Sequence, residues 1–109
     1  MQRVFEYRIW DKLLNKMINY HPWITIDKTL VLMQFTGFID KAGIKVFEGD
    51  IVQMMNTRGY YVIEFNQRTG AYTASGFPLN ANVGRWIDTR DLFVRGNIYT
   101  NPELLTVKR

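Results

Sequence analysis

The feature that most constrains the fold is a run of short strand-like segments separated by turn signals in the second half of the chain. Asn56-Thr57-Arg58-Gly59 and Asn66-Gln67-Arg68-Thr69-Gly70 have the composition of tight turns, and each joins segments rich in β-branched and aromatic residues. Aromatic residues make up 15% of the 109 residues, which suits the pleated surface of strands better than helices. We therefore expect a mainly β fold.

The predicted strands of this half are short and lie close together along the chain. They cover Asp50–Met55, Tyr60–Phe65, Ala71–Ala74, Trp86–Ile87 and Leu92–Val94. Tyr61, Ile63 and Phe65 share one side of their strand, which predicts a single buried face. Five or so short strands with small loops favour a closed or nearly closed barrel, because closure removes exposed sheet edges.

The first half predicts a hairpin at its start. Val4–Trp10 and Met17–Tyr20 are rich in strand formers, and the polar ends of Asp11–Lys16 favour a turn between them. A short helix over Lys12–Ile18 is the alternative, because Leu13, Leu14, Met17 and Ile18 recur at helical spacing. Both remain open at this stage.

Beyond the hairpin we expect one strand, one long loop and a short helical end. The strand is Thr29–Phe35, and the loop, Thr36–Phe47, contains a tight turn at Asp40-Lys41-Ala42-Gly43. The tip of such a loop should be exposed and is a natural recognition surface. At the carboxyl end, Asn101-Pro102-Glu103 has the order of a helix cap, first helical position and first turn, which predicts about one helical turn.

The charge of the chain permits contact with nucleic acid without demanding it. The formal net charge is +4, and residues 56–109 hold seven basic against four acidic side chains. Arginine and aromatic residues interleave there, a pattern that small barrels use to bind single strands. The candidate residues are Arg58, Arg68, Arg85, Arg90 and Arg95. The simpler interpretation places the rings in the core and the arginines at solvated strand ends.

Several classes of chemistry lack their residues. The chain has no cysteine, which excludes thiol catalysis and thiolate metal sites, and it has neither a P-loop nor a dinucleotide-binding glycine motif. A serine hydrolase would have to use Ser75 and His21, the only residues of their kinds. We therefore expect no enzymatic activity and no cofactor.

Three carboxylates could in principle bind a divalent ion. Glu48 and Asp50 flank Gly49, and Asp40 lies in the preceding turn. The structural interpretation is stronger: Gly49 supplies an unusual backbone angle, and Asp50 hydrogen-bonds the local backbone. We therefore expect no metal site.

The amino terminus and the lack of cysteine bear on location. Arg3, Glu6 and Arg8 interrupt any apolar run, so the sequence predicts neither a signal peptide nor a membrane span. Absence of cysteine fits a reducing compartment. We expect one domain over residues 1–109, located in the cytoplasm and without membrane contact.

Four stretches together carry a family resemblance. They are Arg8–Lys12, Leu32–Gly37, Phe47–Val52, and Gly96–Tyr99 followed by Asn101–Leu105. In this order they resemble the YopX family of phage and prophage proteins, although Asp11–Lys16 departs from the polar turn usual there. The resemblance implies a phage or prophage product, made in the bacterial cytosol. It also implies a mostly β fold that contains a small barrel. Combined with the hairpin and the helical turn predicted above, we expect a small SH3-like barrel with an N-terminal β-hairpin extension and a short C-terminal helical turn.

The resemblance transfers no activity and no catalytic residues, so two functions remain. The first is a non-catalytic module that binds a host or phage protein, or a second copy of itself. The alternative is a small basic barrel that binds single-stranded nucleic acid through the arginines named above.

Overall fold

The described part of the chain forms two four-stranded antiparallel sheets. A computed structural model describes residues 6–54, 59–76 and 92–105, and gives Ser75 and Gly76 by their backbone. The first sheet has the strand order β2-β1-β3-β4 and the second has the order β7-β6-β5-β8. The strands are β1 (Tyr7–Asp11), β2 (Lys16–Asn19), β3 (Leu30–Ile39), β4 (Lys45–Phe47), β5 (Asp50–Met54), β6 (Tyr61–Asn66), β7 (Ala71–Gly76) and β8 (Leu92–Asn97).

The amino-terminal hairpin is confirmed, and the alternative helix is wrong. Strands β1 and β2 pair antiparallel up to Asp11 opposite Lys16. The Asp11 carboxylate accepts hydrogen bonds from the backbone N–H groups of Leu13 and Leu14, and Asn15 has a positive φ of 50°. A side-chain acceptor that closes the turn in this way favours a hairpin over a helix, whatever the spacing of the leucines.

The predicted long loop over Thr36–Phe47 is largely strand. β3 continues to Ile39, and β4 pairs with it through a register shift between Phe35 and Ile39. Gly37 has a φ of 89° at this irregularity, and the Thr36 hydroxyl donates to the Val46 carbonyl at 2.7 Å. Thr36-Gly37 is therefore a bulge inside a strand. The tight turn at Asp40–Gly43 is confirmed, and residues 41–45 are exposed.

The main core lies on the inner face of the second sheet and is closed by the β3–β4 hairpin. Its buried residues are Val46, Val52, Met54, Tyr61, Ile63, Ala74 and Leu92, with Phe38, Tyr72 and Val94 packed against them. The prediction of a single buried face in β6 is wrong. Val62, which points to the other side of β6, is also buried, whereas Phe65 is largely exposed.

The carboxyl end forms a 3-10 helix over Pro102–Leu105, which confirms the predicted helical turn. The Asn101 side chain does not cap this helix. Its Oδ1 accepts from the Asn97 N–H at 3.3 Å, and the Asn97 Oδ1 accepts from Tyr99 and Thr100. The two asparagines thus hold the turn that follows β8.

The architecture is mainly β, a curled half-barrel with an N-terminal hairpin extension and a short C-terminal helical turn. β3 connects the hairpin extension to β4, because the first half of β3 pairs with β1 and its second half pairs with β4. The predicted fold class is confirmed. The predicted strand Trp86–Ile87 lies outside the described residues.

Candidate functional site

A buried ion pair joins the first sheet to the second. Arg8 of β1 forms a salt bridge with Asp50, the first residue of β5. The same guanidinium lies 4.6 Å from the centre of the Phe47 ring, and the Phe47 N–H donates to Asp50 Oδ2 at 2.8 Å. Burial raises the pKa of Asp50, although Arg8 and the Phe47 N–H favour the charged carboxylate. The pair fixes the seam between the sheets.

Asp40 ties the β3–β4 turn to β8. Its Oδ1 accepts from the N–H groups of Ala42 and Ile44, and its Oδ2 accepts from the Val94 N–H at 2.9 Å. Burial alone would raise the pKa of this carboxyl, but the three backbone donors and the nearby charge of Arg95 together outweigh burial and lower it. Its acceptor capacity is therefore largely used by the protein itself.

The Glu48-Gly49 turn between β4 and β5 lies at the centre of the seam. Gly49 has a φ of 82°, donates to the Ile63 carbonyl and accepts from the Ile98 N–H, both at 2.9 Å. A side chain at this position would meet the Met33 sulfur at 3.1 Å. The positive φ confirms the unusual backbone angle predicted for Gly49, and the nearness of Met33 adds a steric reason for glycine.

A cleft of about 210 Å³ opens between β3 and β6 beside this turn. Most of its lining residues are apolar, and two acidic residues, Glu48 and Glu64, are among them. Glu48 Oε1 accepts from the Gln34 N–H at 3.0 Å, which holds that side chain at the β3 edge. The lining residues are Val31, Leu32, Met33, Glu48, Gly49, Val62, Ile63, Glu64, Ile98 and Tyr99.

One wall of the cleft is a strand edge. Phe35 N–H donates to Glu6, and Thr29 accepts from Lys12, so the odd-numbered residues of β3 direct their backbone groups toward β1. The even-numbered residues face the opposite edge, where Gln34 bonds to Glu48. Within the described residues, no strand pairs with β3 on that edge before Phe35. Leu32 lines the cleft, and its backbone N–H and C=O lie on this edge of β3.

The structure does not bring the two described candidate arginines together. Arg68 lies exposed in the β6–β7 turn, and Arg95 lies exposed on β8, two strand positions away from β6. Arg95 is the extra residue of a β8 bulge opposite Ile51 and Val52. Its guanidinium packs over the Phe93 ring at 4.9 Å, and its Nε donates to Gln53 at 3.2 Å. Arg58, Arg85 and Arg90 lie outside the described residues.

The candidate metal ligands serve the backbone instead. Asp40, Glu48 and Asp50 each accept from at least one main-chain N–H, and the residues described by the structure contain no group of three or more carboxylates or histidines able to hold an ion. His21 is exposed in the β2–β3 connection, and its carbonyl accepts from Ile24. The described residues also include no helix long and apolar enough to cross a membrane.

Three large apolar side chains stand in solvent beside the first sheet. Leu13 and Leu14, in the β1–β2 turn, are 76% and 65% exposed, and Trp23 in the β2–β3 connection is 88% exposed. The two loops are tied together, because Lys12 donates from its backbone to Thr29 and from Nζ to the Lys28 carbonyl. We call Leu13, Leu14 and Trp23 the exposed loop residues. The spacing of Leu13 and Leu14 indicated only a possible helix, and no sequence pattern assigned a role to Trp23.

The fold and seam define a small curled β-sheet protein with a hairpin extension. The profile of the family described as YopX protein matches residues 20–106, so this chain belongs to the YopX family. No curated protein is significantly similar to it. Among solved structures, the crystal structure of protein EF1440 from Enterococcus faecalis is similar in fold, with a TM-score of 0.72 and 21% identity. The alignment covers 96% of this chain and 100% of that one.

Proposed function

We propose that this YopX-family chain is a non-catalytic protein-interaction module of phage or prophage origin, acting in the bacterial cytosol. The observation that carries the proposal is the exposure of Leu13, Leu14 and Trp23 in two loops that are bonded to each other. Burial of one leucine-sized side chain contributes about 1.5–3 kcal/mol. A partner that covers such side chains removes their apolar area from water.

The loop first expected to recognise a partner gives less support. Thr36–Phe47 is mostly paired strand, and its turn is fixed by Asp40. The exposed loop residues take its place, since two leucines in the β1–β2 turn and a tryptophan in the β2–β3 connection present apolar area outside the core. Asp40, Glu48 and Asp50 support a non-catalytic role, because their carboxylates accept hydrogen bonds from backbone N–H groups that shape the fold.

The test compares co-purification by the wild type with that by a triple variant. L13S/L14S/W23S should fold normally but lose a specific co-purifying protein when the tagged chain is expressed in its source organism. Ile44→Ser and Phe65→Ser remove exposed apolar groups elsewhere and should retain it. Equal recovery by all three variants would refute the assigned surface. Light scattering reports the self-associated case: a wild-type dimer and a monomeric triple variant would identify a second copy as the partner.

Nucleic-acid binding is the second candidate function. It is favoured by one observation, the packing of the exposed Arg95 guanidinium over the half-buried Phe93 ring on β8. Fluorescence anisotropy with labelled single strands at two salt concentrations tests it. Arg95→Gln should weaken binding and reduce its salt dependence if the candidate is correct, whereas absence of binding at low salt would refute it.

A further inference from the structure

We propose that the partner of this chain is a second copy of itself, docked edge to edge through β2 so that the two first sheets form one continuous antiparallel sheet. The inference rests on the proposed protein-interaction function and names the occupant of its surface. β2 is the edge strand of the first sheet, whose order is β2-β1-β3-β4. Leu13 and Leu14 precede this strand, and Trp23 follows it, so the exposed loop residues flank the edge at both ends.

The outer edge of β2 carries backbone groups that β1 does not use. The even-numbered residues of β1 bond to β3, so its odd-numbered residues face β2. In the register that pairs Ile9 with Ile18, the strand residues that direct N–H and C=O outward are Met17 and Asn19. In the part of the chain that the structure describes, no strand pairs with this edge. Such an edge is a template for an added strand.

A second β2 satisfies both outward-facing residues at once. On a two-fold axis through Ile18, Met17 of one copy lies opposite Asn19 of the other, and the two exchange both backbone hydrogen bonds. The symmetry repeats this exchange on the other side of the axis. A shift by two residues would set Met17 or Asn19 opposite a residue outside β2. The backbone therefore selects the register centred on Ile18.

The exposed loop residues are placed symmetrically about the same centre. Leu13 and Trp23 each lie five residues from Ile18 in the sequence, on opposite sides. By residue count, the β1–β2 turn of one copy thus falls at the level of the β2–β3 connection of the other. The two side chains are 76% and 88% exposed in a single copy, and mutual contact would remove their apolar area from water. This self-complementarity favours a second copy over an unrelated strand.

The charge on the edge fits the same register. A lysine on an exposed edge strand usually opposes pairing, and like charges directly opposite each other destabilise two strands. Here Lys16 would lie opposite Tyr20 of the second copy instead of opposite itself. Tyr20 is 39% exposed, and its ring makes an edge-to-face contact with Tyr7 at 5.3 Å between centroids. A tyrosine ring is a favourable neighbour for a lysine ammonium group.

Disulfide formation tests the register, because the chain contains no cysteine of its own. Ile18→Cys would place two thiols across the axis in a non-hydrogen-bonded pair, with Cα atoms about 4.5 Å apart, within the range of a disulfide. Mild oxidation should therefore convert this variant into a covalent dimer. Lys16→Cys is the matched control on the same strand. Its two copies would lie about four strand positions apart, or about 14 Å, which is too far for a disulfide.

Substitution at Met17 tests the backbone contact. Met17→Pro removes an outward N–H that β1 does not use, so the pairing of β1 with β2 should persist. Met17→Leu keeps that N–H and a similar side-chain volume. Light scattering should give about twice 12.9 kDa for the wild type and Met17→Leu, and about 12.9 kDa for Met17→Pro. Urea unfolding checks that Met17→Pro is folded, and the cysteine test does not depend on that variant.

Two outcomes would overturn the inference. One is a monomeric wild type at concentrations up to about 1 mM, where even weak specific association is populated. The other is cross-linking of Ile18→Cys that is no faster than that of Lys16→Cys. Both differ from failure of the proposed function. A monomer that still co-purifies with a protein lost from L13S/L14S/W23S would identify a different protein as the occupant of the exposed loop residues.

Discussion

The indole of Trp10 stacks on the ring of Tyr99, with ring centroids 5.6 Å apart and planes inclined by 19°. Trp10 belongs to β1, and Tyr99 lies in the turn after β8 that Asn97 and Asn101 hold. The contact therefore joins the hairpin extension to the end of the half-barrel. Together with the Arg8–Asp50 pair, it fixes the seam on which the cleft depends.

The Trp10–Tyr99 contact should be measurable as a coupling energy. A double-mutant cycle with Trp10→Leu and Tyr99→Leu, followed by urea unfolding, should give a coupling of about 1 kcal/mol, typical of stacked aromatic pairs. A cycle between Trp10→Leu and Ile44→Ala, an exposed substitution in the β3–β4 turn, should give a coupling near zero. Equal couplings in both cycles would contradict a specific role for the stack.

Removal of Arg8 should destabilise the chain in a pH-dependent manner. Arg8→Met leaves the Asp50 carboxylate buried without its cation, which should cost about 3 kcal/mol at neutral pH. Burial places the pKa of Asp50 above its unfolded value of 3.8, so protonation favours the folded state. The cost of Arg8→Met should therefore shrink as the pH falls toward 4.

The control for this pair is Lys45→Met. Lys45 and Glu6 form a salt bridge of 2.7 Å, but both side chains are substantially exposed. Its loss should change the free energy of unfolding by less than about 1 kcal/mol. A pH-independent cost for Arg8→Met, or a cost as small as that of the control, would contradict the account of the seam.

The contribution of Asp40 to the free energy of unfolding should depend on pH in the opposite direction to that of Asp50. Its pKa is lowered below the unfolded value of 3.8, so its contribution is present above about pH 4 and is lost as the pH falls further. Asp40→Asn cannot accept from Val94 through its amide nitrogen and should cost about 1–3 kcal/mol at pH 7. Urea unfolding at pH 7 and pH 3 should show this cost diminishing in acid. A cost that grows in acid would contradict the assigned pKa direction.

Gly49 and Gly43 form a matched test of backbone strain against crowding. Both have a positive φ, 82° and 85°, but only Gly49 has a neighbour that a new methyl group would meet, the Met33 sulfur at 3.1 Å. Gly43→Ala should cost about 1 kcal/mol, and Gly49→Ala about 2–3 kcal/mol. Equal costs in thermal or urea unfolding would show that Met33 yields without penalty.

Local sequence patterns predicted those turns in which a side chain hydrogen-bonds to the backbone a few residues further on. The Asp11 carboxylate, the Asp40 turn and the Asn66–Gly70 turn all act within four residues, so their composition suffices. The predicted loop at Thr36-Gly37 is wrong, because threonine and glycine occur in loops and in bulges alike. Only the long-range bond from Thr36 to Val46 distinguishes the two.

The candidate site could not be predicted in the same way, because its parts are distant in sequence. Arg8 and Asp50 are 42 residues apart, and the cleft combines β3, β6 and the turn after β8. The one usable signal in the sequence is the Glu48-Gly49-Asp50 stretch, where the structure has both the unusual backbone angle of Gly49 and the hydrogen bond between Asp50 and the local backbone. No sequence feature predicts the exposure of Trp23, because a tryptophan side chain is usually packed against other residues.

The central claim, that the exposed loop residues contact a partner protein, is most directly tested by replacing Trp23 with a photoreactive phenylalanine derivative in the source organism. The account predicts a specific cross-linked protein adduct upon irradiation, which L13S/L14S abolishes and which the same probe at Phe65 does not give. No adduct at position 23, or the same adduct from position 65, would contradict it.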